Sequence, residues 1–148
     1  MHSFQPPQAW QDELLALNPV TFAPHLVHKV PTLFLQIVRL DSGQRVGEIN
    51  LRIGSNPHIE RYAGHIGYTI DPAHRGHRYA ARAVRLLIPL AQQHGINPLW
   101  LTSDPDNLAS RRCCELAGAH FVEIVEVPNS CIIHRSSHPR KCRYRLDL

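Results

Sequence analysis

The 148-residue chain lacks an apolar run of the roughly 18 residues needed to cross a bilayer as a helix. It also lacks a basic start followed by a hydrophobic stretch. Met1, His2, Ser3, Phe4, Gln5, Pro6 and Pro7 carry no such pattern, so no secretory leader is expected. There is no CxxC pair. The cysteines, Cys113, Cys114, Cys131 and Cys142, are expected to be reduced thiols rather than a disulfide framework. No internal repeat and no linker composition interrupts the sequence, so residues 1–148 are expected to form a single domain. These absences exclude a helical membrane protein, a secreted disulfide scaffold and a fibrous chain. They make a cytoplasmic globular protein the expectation. The balance of 43% hydrophobic to 19% charged residues fits a chain that buries a core.

Basic side chains outnumber acidic ones by 16 − 12 = 4, and most of them are Arg. A planar guanidinium suits a phosphate-bearing ligand. Two local patterns compete for this charge and for the eleven histidines. Cys131, His134, His138 and Cys142 follow a spacing that suits tetrahedral zinc. Pro139 stiffens that segment and a polar loop is expected there anyway, so no metal is expected. Arg135, Arg140, Lys141, Arg143 and Arg145, interleaved with Tyr144, form a basic stretch of the kind that binds nucleic acid. A charged edge strand explains it more simply, and no nucleic-acid partner is expected.

Periodicity divides the chain into elements. Residues 1–8 read as a frayed terminus with Pro6 and Pro7 extended, and residues 9–17 as a short helix. Three prolines make 18–31 irregular, an edge strand at best. Residues 33–40 and 45–53 form a hairpin. In its second strand Gly47, Ile49, Leu51 and Ile53 share one face, while Val46, Glu48, Asn50 and Arg52 share the other. Residues 62–70 form a third strand. A helix over 76–94 follows from Ala80, Ala83, Val84, Leu87, Ile88 and Ala91, with Pro89 inside it. Residues 99–102 form a short buried strand. Asp106 or Asn107 caps a second helix that runs to Ala117 and stops at Gly118. Strands at 120–127 and 141–148 flank a loop over 128–140. The pattern predicts an α/β (α+β) layer with a mostly antiparallel sheet and helices packed on it.

The strand–turn–helix at 62–94 carries the chemistry. Its turn reads Arg75, Gly76, His77, Arg78, Tyr79, Ala80. A small residue before a helix start lets backbone amides approach an anion, and two arginines add fixed charge. A diphosphate suits such a place.

In these residues the sequence resembles the GNAT N-acetyltransferase superfamily, whose signature at this turn is Arg/Gln-x-x-Gly-x-Gly/Ala. Arg75 and Ala80 match, and Arg78 replaces the middle glycine. Val46, Gly47, Glu48 and Ile49 upstream are also family-like, as are Gly67 to Pro72 entering the turn. Downstream, Asn107 and Ser110, followed by Glu115 to Ala119, resemble the family's second helix. The likeness spans roughly residues 33–127.

The resemblance implies a twisted, mostly antiparallel sheet with helices on both faces. A splayed strand pair, 62–70 and 99–102, would hold acetyl-CoA as co-substrate. Backbone groups of Tyr68, Thr69 and Ile70 would pair with the pantetheine arm. Arg75, Gly76, His77, Arg78, Tyr79 and Ala80 would cradle the diphosphate, and Asn107, Ser110 and Arg111 would approach the cofactor. An amine, on a small molecule or a peptide, would attack the thioester directly. Glu48 and His65 are the candidate bases. Cys114 occupies the position where many members place a proton-donating Tyr. Homodimers are common in the family. Two other functions fit parts of the sequence: a non-catalytic acyl-CoA-binding module of the same fold, and a regulator linked to zinc or nucleic acid.

Overall fold

The computed structural model describes residues 10–25, 28–131, 133 and 139–148. The predicted frayed start, and His134 and His138 of the zinc-like spacing, lie outside these residues.

Among the described residues seven strands form two antiparallel sheets. The first has the order β1 (Leu15–Pro24), β2 (Pro31–Arg39), β3 (Arg45–Arg52), β4 (Ile66–Ile70). The second has the order β5 (Leu99–Ser103), β7 (Arg140–Leu146), β6 (His120–Glu126). Helix α1 (Tyr79–Gln93) packs on β1, β3 and β4. Helix α2 (Leu108–Leu116) packs on β5 and β6 and touches α1. Leu15, Leu17, Leu35, Ile37, Leu51, Leu87, Leu99 and Tyr144 sit fully buried at the centre. No helix among the described residues is long and apolar enough to cross a membrane.

Three sequence expectations are corrected. The first concerns the predicted helix over 9–17. Asp12 Oδ1 accepts the N–H groups of Leu14 and Leu15, both at 2.7 Å, closing a turn instead. Leu15 to Leu17 then begin β1, where pairing with β2 buries both leucines. Tertiary burial overrides the local helix preference. Pro19 and Pro24 are tolerated because β1 is the outer strand, and the register shifts between Pro19 and Thr21.

The second correction concerns the strand expected over 62–70. Residues Ile59–Ala63 form a π-helical turn, and strand pairing starts only at Ile66. Gly64 makes this abrupt change of path feasible. Its φ is 74°, and a Cβ there would lie 3.0 Å from the Trp100 carbonyl oxygen.

The third concerns the C-terminal basic strand, expected at an edge. It is the central strand of its sheet, because Cys142 and Tyr144 face inward and are fully buried. Tyr144 therefore presents no face to a base. Lys141 pairs with Asp104, Arg143 with Glu123 at 2.6 Å, and Arg145 with Asp147 at 2.8 Å.

Candidate active site

The two sheets part between β4 and β5. His65 N–H donates to the Trp100 carbonyl at 2.8 Å, joining the chain just before β4 to β5. Beyond this link, among the described residues, β4 has a ladder partner only on its β3 side. Its other edge presents open backbone groups, which can accept an extended ligand as an added strand.

A cavity of about 580 Å³ opens beside that edge. Tyr68, Thr69 and Ile70 form one wall, the turn from His74 to Ala81 a second, and α2 the third. Arg78 caps α1 in the left-handed conformation, φ 61° and ψ 26°, with no side-chain cap on the helix. The first amides of α1 therefore have no capping partner within the helix start, and Tyr79, Ala80 and Ala81 line the cavity. Arg75 steadies the turn by donating from Nε to the Ile70 carbonyl at 3.0 Å. The lining contains Arg75, Arg78 and Arg112 and, among the described residues, no carboxylate. Charge and open amides give this end the chemistry that suits an anion.

Asn107 caps α2 by accepting the Ser110 N–H at 3.1 Å. The Tyr68 and Ser110 hydroxyls lie 3.0 Å apart, so β4 and α2 meet at one hydrogen bond. Burial pushes the Tyr68 phenol pKa up, with the neighbouring Cys113 acting the same way, so the hydroxyl keeps its proton.

A second cavity of about 400 Å³ shares Tyr68, Asn107 and Ser110 with the first. It continues to His28, Arg52, Tyr62, Thr102 and Lys141. The Tyr68–Ser110 pair thus stands where the two cavities meet.

Eleven of the twelve residues expected around the cofactor line the first cavity. Arg111 does not. Its Nε donates to the Tyr144 hydroxyl at 3.0 Å and its Nη1 to the Pro105 carbonyl. Arg112 takes its place, together with Ala109, Cys113 and Leu116. These four lie at helical spacing on one face of α2, a periodicity that would have separated Arg112 from Arg111. Cys113, likewise missed, faces the cavity. Cys114 lies outside both cavities, and burial pushes its thiol up to about 12. Glu48 lies opposite Thr69 in the β3–β4 register, is exposed, and lines neither cavity.

His65 is not on a strand but in the bend before β4, and it is fully buried. Its Nδ1 accepts the Trp100 N–H at 2.9 Å, so the proton sits on Nε2, which is 2.7 Å from the Ser55 hydroxyl. Both ring nitrogens are engaged in holding the two sheets together. Burial, assisted by the Arg52 charge, lowers the His65 pKa to about 4. An unfolded histidine protonates near 6.5, so the unfolded chain binds the extra proton between these values. The stability from neutral His65 is full above pH 6.5 and falls as pH drops toward about 4. The slope from one such group reaches about 1.4 kcal/mol per pH unit. His28, lowered to about 3 by burial first and Arg52 second, acts with the same sign. Calorimetric melting over this window should show a steadily falling melting temperature. A flat profile would contradict the buried neutral ring.

Among the described residues no cluster of His, Cys, Asp and Glu has the arrangement of a metal site.

Comparison with known proteins gives one family match and several structural ones. The family described as Acetyltransferase (GNAT) domain matches residues 16–120. No curated protein matches the sequence. A GNAT-family acetyltransferase from Bacillus anthracis is 18% identical with a TM-score of 0.59, over 77% of this chain and 65% of that one. A probable GNAT-family acetyltransferase from Chromobacterium violaceum is 17% identical with a TM-score of 0.65, over 97% and 88%. The microcin C7 self-immunity acetyltransferase, solved with acetyl-CoA and AMP, is 18% identical with a TM-score of 0.57, over 79% and 61%. The chain spans slightly less than two thirds of the Bacillus and microcin-immunity proteins. At these identities the structural likeness establishes the fold, and the family match over most of the chain establishes kinship. The chain belongs to the GNAT acetyltransferase family.

Proposed function

We propose that the protein is an acetyl-CoA-dependent N-acetyltransferase that acetylates a primary amine. One observation carries this reading: two cavities meet at the Tyr68–Ser110 hydrogen bond, one walled by open amides and arginines, the other by polar side chains.

The residues of the first cavity fit acetyl-CoA. A diphosphate suits the turn from Arg75 to Ala80, where guanidinium groups and helix-start amides converge. An extended pantetheine arm suits the open edge of Tyr68–Ile70. Asn107 uses its side-chain oxygen for the helix cap and keeps its amide nitrogen for a ligand. When bound, acetyl-CoA supplies an acyl group already activated as a thioester.

The chain's own residues position the reactants and manage protons. The Tyr68 hydroxyl, 3.0 Å from the Ser110 hydroxyl where the cavities meet, holds the proton that a departing sulfur requires. It takes the role expected of Cys114. His65 is a structural clamp in this reading, and Glu48 stands apart from both cavities. The acceptor amine enters from the second cavity, on whose wall Arg52 lies. Water then takes up the proton that the amine releases on acylation.

The test is a thermal-shift titration with acetyl-CoA followed by a thiol-release assay on an amine panel. A native-state ligand at about 100 times its Kd stabilises by about 2.7 kcal/mol. A dose-dependent rise in melting temperature with amine-dependent release of CoA is the expected result. A rise without release under any amine would leave a non-catalytic acyl-CoA-binding module. No rise at millimolar acetyl-CoA would refute the cofactor site.

A further inference from the structure

Arg52 is a buried cation with no counter-ion among the described residues. It ends β3, is only 7% exposed, and lines the second cavity. Its Nη1 donates to the carbonyls of Ala63 and Gly64 at 2.7 and 2.9 Å. Its Nε is buried with no partner, and Nη2 makes no hydrogen bond with a described residue. Among the described residues no carboxylate pairs with it. Burial lowers its pKa to about 10, which still leaves it charged at neutral pH. An unpaired buried charge is unfavourable unless something compensates it.

The described residues around Arg52 supply no compensating negative charge. The histidines near Arg52 are His25, His28, His58 and His65. Each is held toward the neutral form, by burial first and by the Arg52 charge second. Lys141, the other cation of the cavity, already pairs with Asp104. Nη2 lies against Gly67, where a Cβ would come within 2.5 Å of it, and Gly67 lines the same cavity. A side chain at 67 would displace the guanidinium, so the glycine keeps it on the cavity wall. Nearby, Asn50 Oδ1 is also buried and unpaired.

We infer that the second cavity binds the negative end of the acceptor, and that the acceptor is a small amine bearing a carboxylate, held by Arg52. This rests on the transferase reading above. A carboxylate matches one free positive charge, whereas a phosphate dianion would need a second. The cavity volume of about 400 Å³ suits a small molecule. Tyr68 and Ser110 line the same cavity, so an anchored amino acid keeps its amine in the compartment of the reacting groups.

The experiment pairs a set of α- and ω-amino acids with their carboxamides as acceptors, in thiol-release assays at fixed acetyl-CoA. At least one acid should be used about tenfold or more better in kcat/KM than its amide, the effect of one charged hydrogen bond. Arg52→Met should abolish that preference while acetyl-CoA still raises its melting temperature as in the wild type. The preferred acid should also stabilise the wild-type protein thermally and not the variant. Should Arg52→Met fail to fold, Arg52→Lys and the wild-type acid-to-amide ratio decide the matter. Amides used as well as acids would overturn the carboxylate inference and leave the transferase intact. No turnover of any amine, with acetyl-CoA bound, would overturn the transferase reading and this inference with it.

Discussion

Replacing Tyr68 by Phe should lower kcat by about 10²–10⁴-fold, the range lost with a positioned general acid. Acetyl-CoA affinity should stay within a few-fold of the wild type, because the ring and the backbone edge of β4 remain. The hydroxyl is the only part removed, and it stands 3.0 Å from Ser110 at the meeting point of the two cavities. Cys114→Ala is the matching control. That thiol is buried outside both cavities, so kcat should not change apart from any loss of folded protein. Saturating thiol-release kinetics and a separate Kd for acetyl-CoA measure the two quantities independently. An unchanged kcat in Tyr68→Phe would show that the sulfur leaves without this proton.

Arg78→Ala should weaken acetyl-CoA binding about 10- to 100-fold. Charge-assisted hydrogen bonds contribute about 1.5–3 kcal/mol, and each 1.4 kcal/mol is a factor of ten. Arg78 stands where the family signature has a glycine, and its backbone occupies the left-handed region with φ 61°. That conformation is unfavourable by roughly 1–2 kcal/mol for a residue with a Cβ. Arg78→Gly therefore separates two effects. It should stabilise the fold by about 1 kcal/mol while weakening acetyl-CoA binding as the alanine variant does. Calorimetric titration and thermal melting report the two quantities. An affinity in Arg78→Ala equal to the wild type would show that the amides of α1 hold the anion without the guanidinium.

The expectation for Arg78 draws on a turn that was legible in the sequence. The stretch from Arg75 to Ala80 sits between a strand signal and a strong helical period, and in the structure it follows β4 and runs into the first turn of α1. The Asn107 cap and the stop at Gly118 were equally local, since a side-chain oxygen and a Cβ-free residue act on their own backbone. The hairpin of β2 and β3 followed from its alternation and its turn.

Other features had no local signal. The residues before β1 look helical, and only pairing with β2 makes Leu15 and Leu17 strand residues. The basic stretch at Arg140–Leu146 suits an edge by charge, yet its alternate residues fill the core and place it centrally. Arg111 and Arg112 are indistinguishable by type, and the rotation of α2 against β4 decides which one reaches the cavity.

The sequence by itself determined the strand-to-helix turn at Arg75–Ala80, helices α1 and α2 and the family, because each depends on residue types close together in the chain. Tertiary structure alone decided the roles of His65 and Arg52. His65 becomes a clamp because the bend before β4 carries it to the Trp100 backbone. Arg52 sits on the polar face of a strand and becomes buried because the π-helical turn leads the Ala63 and Gly64 carbonyls onto its guanidinium. Burial and charge compensation depend on what distant segments bring to a side chain, and no local spacing encodes that.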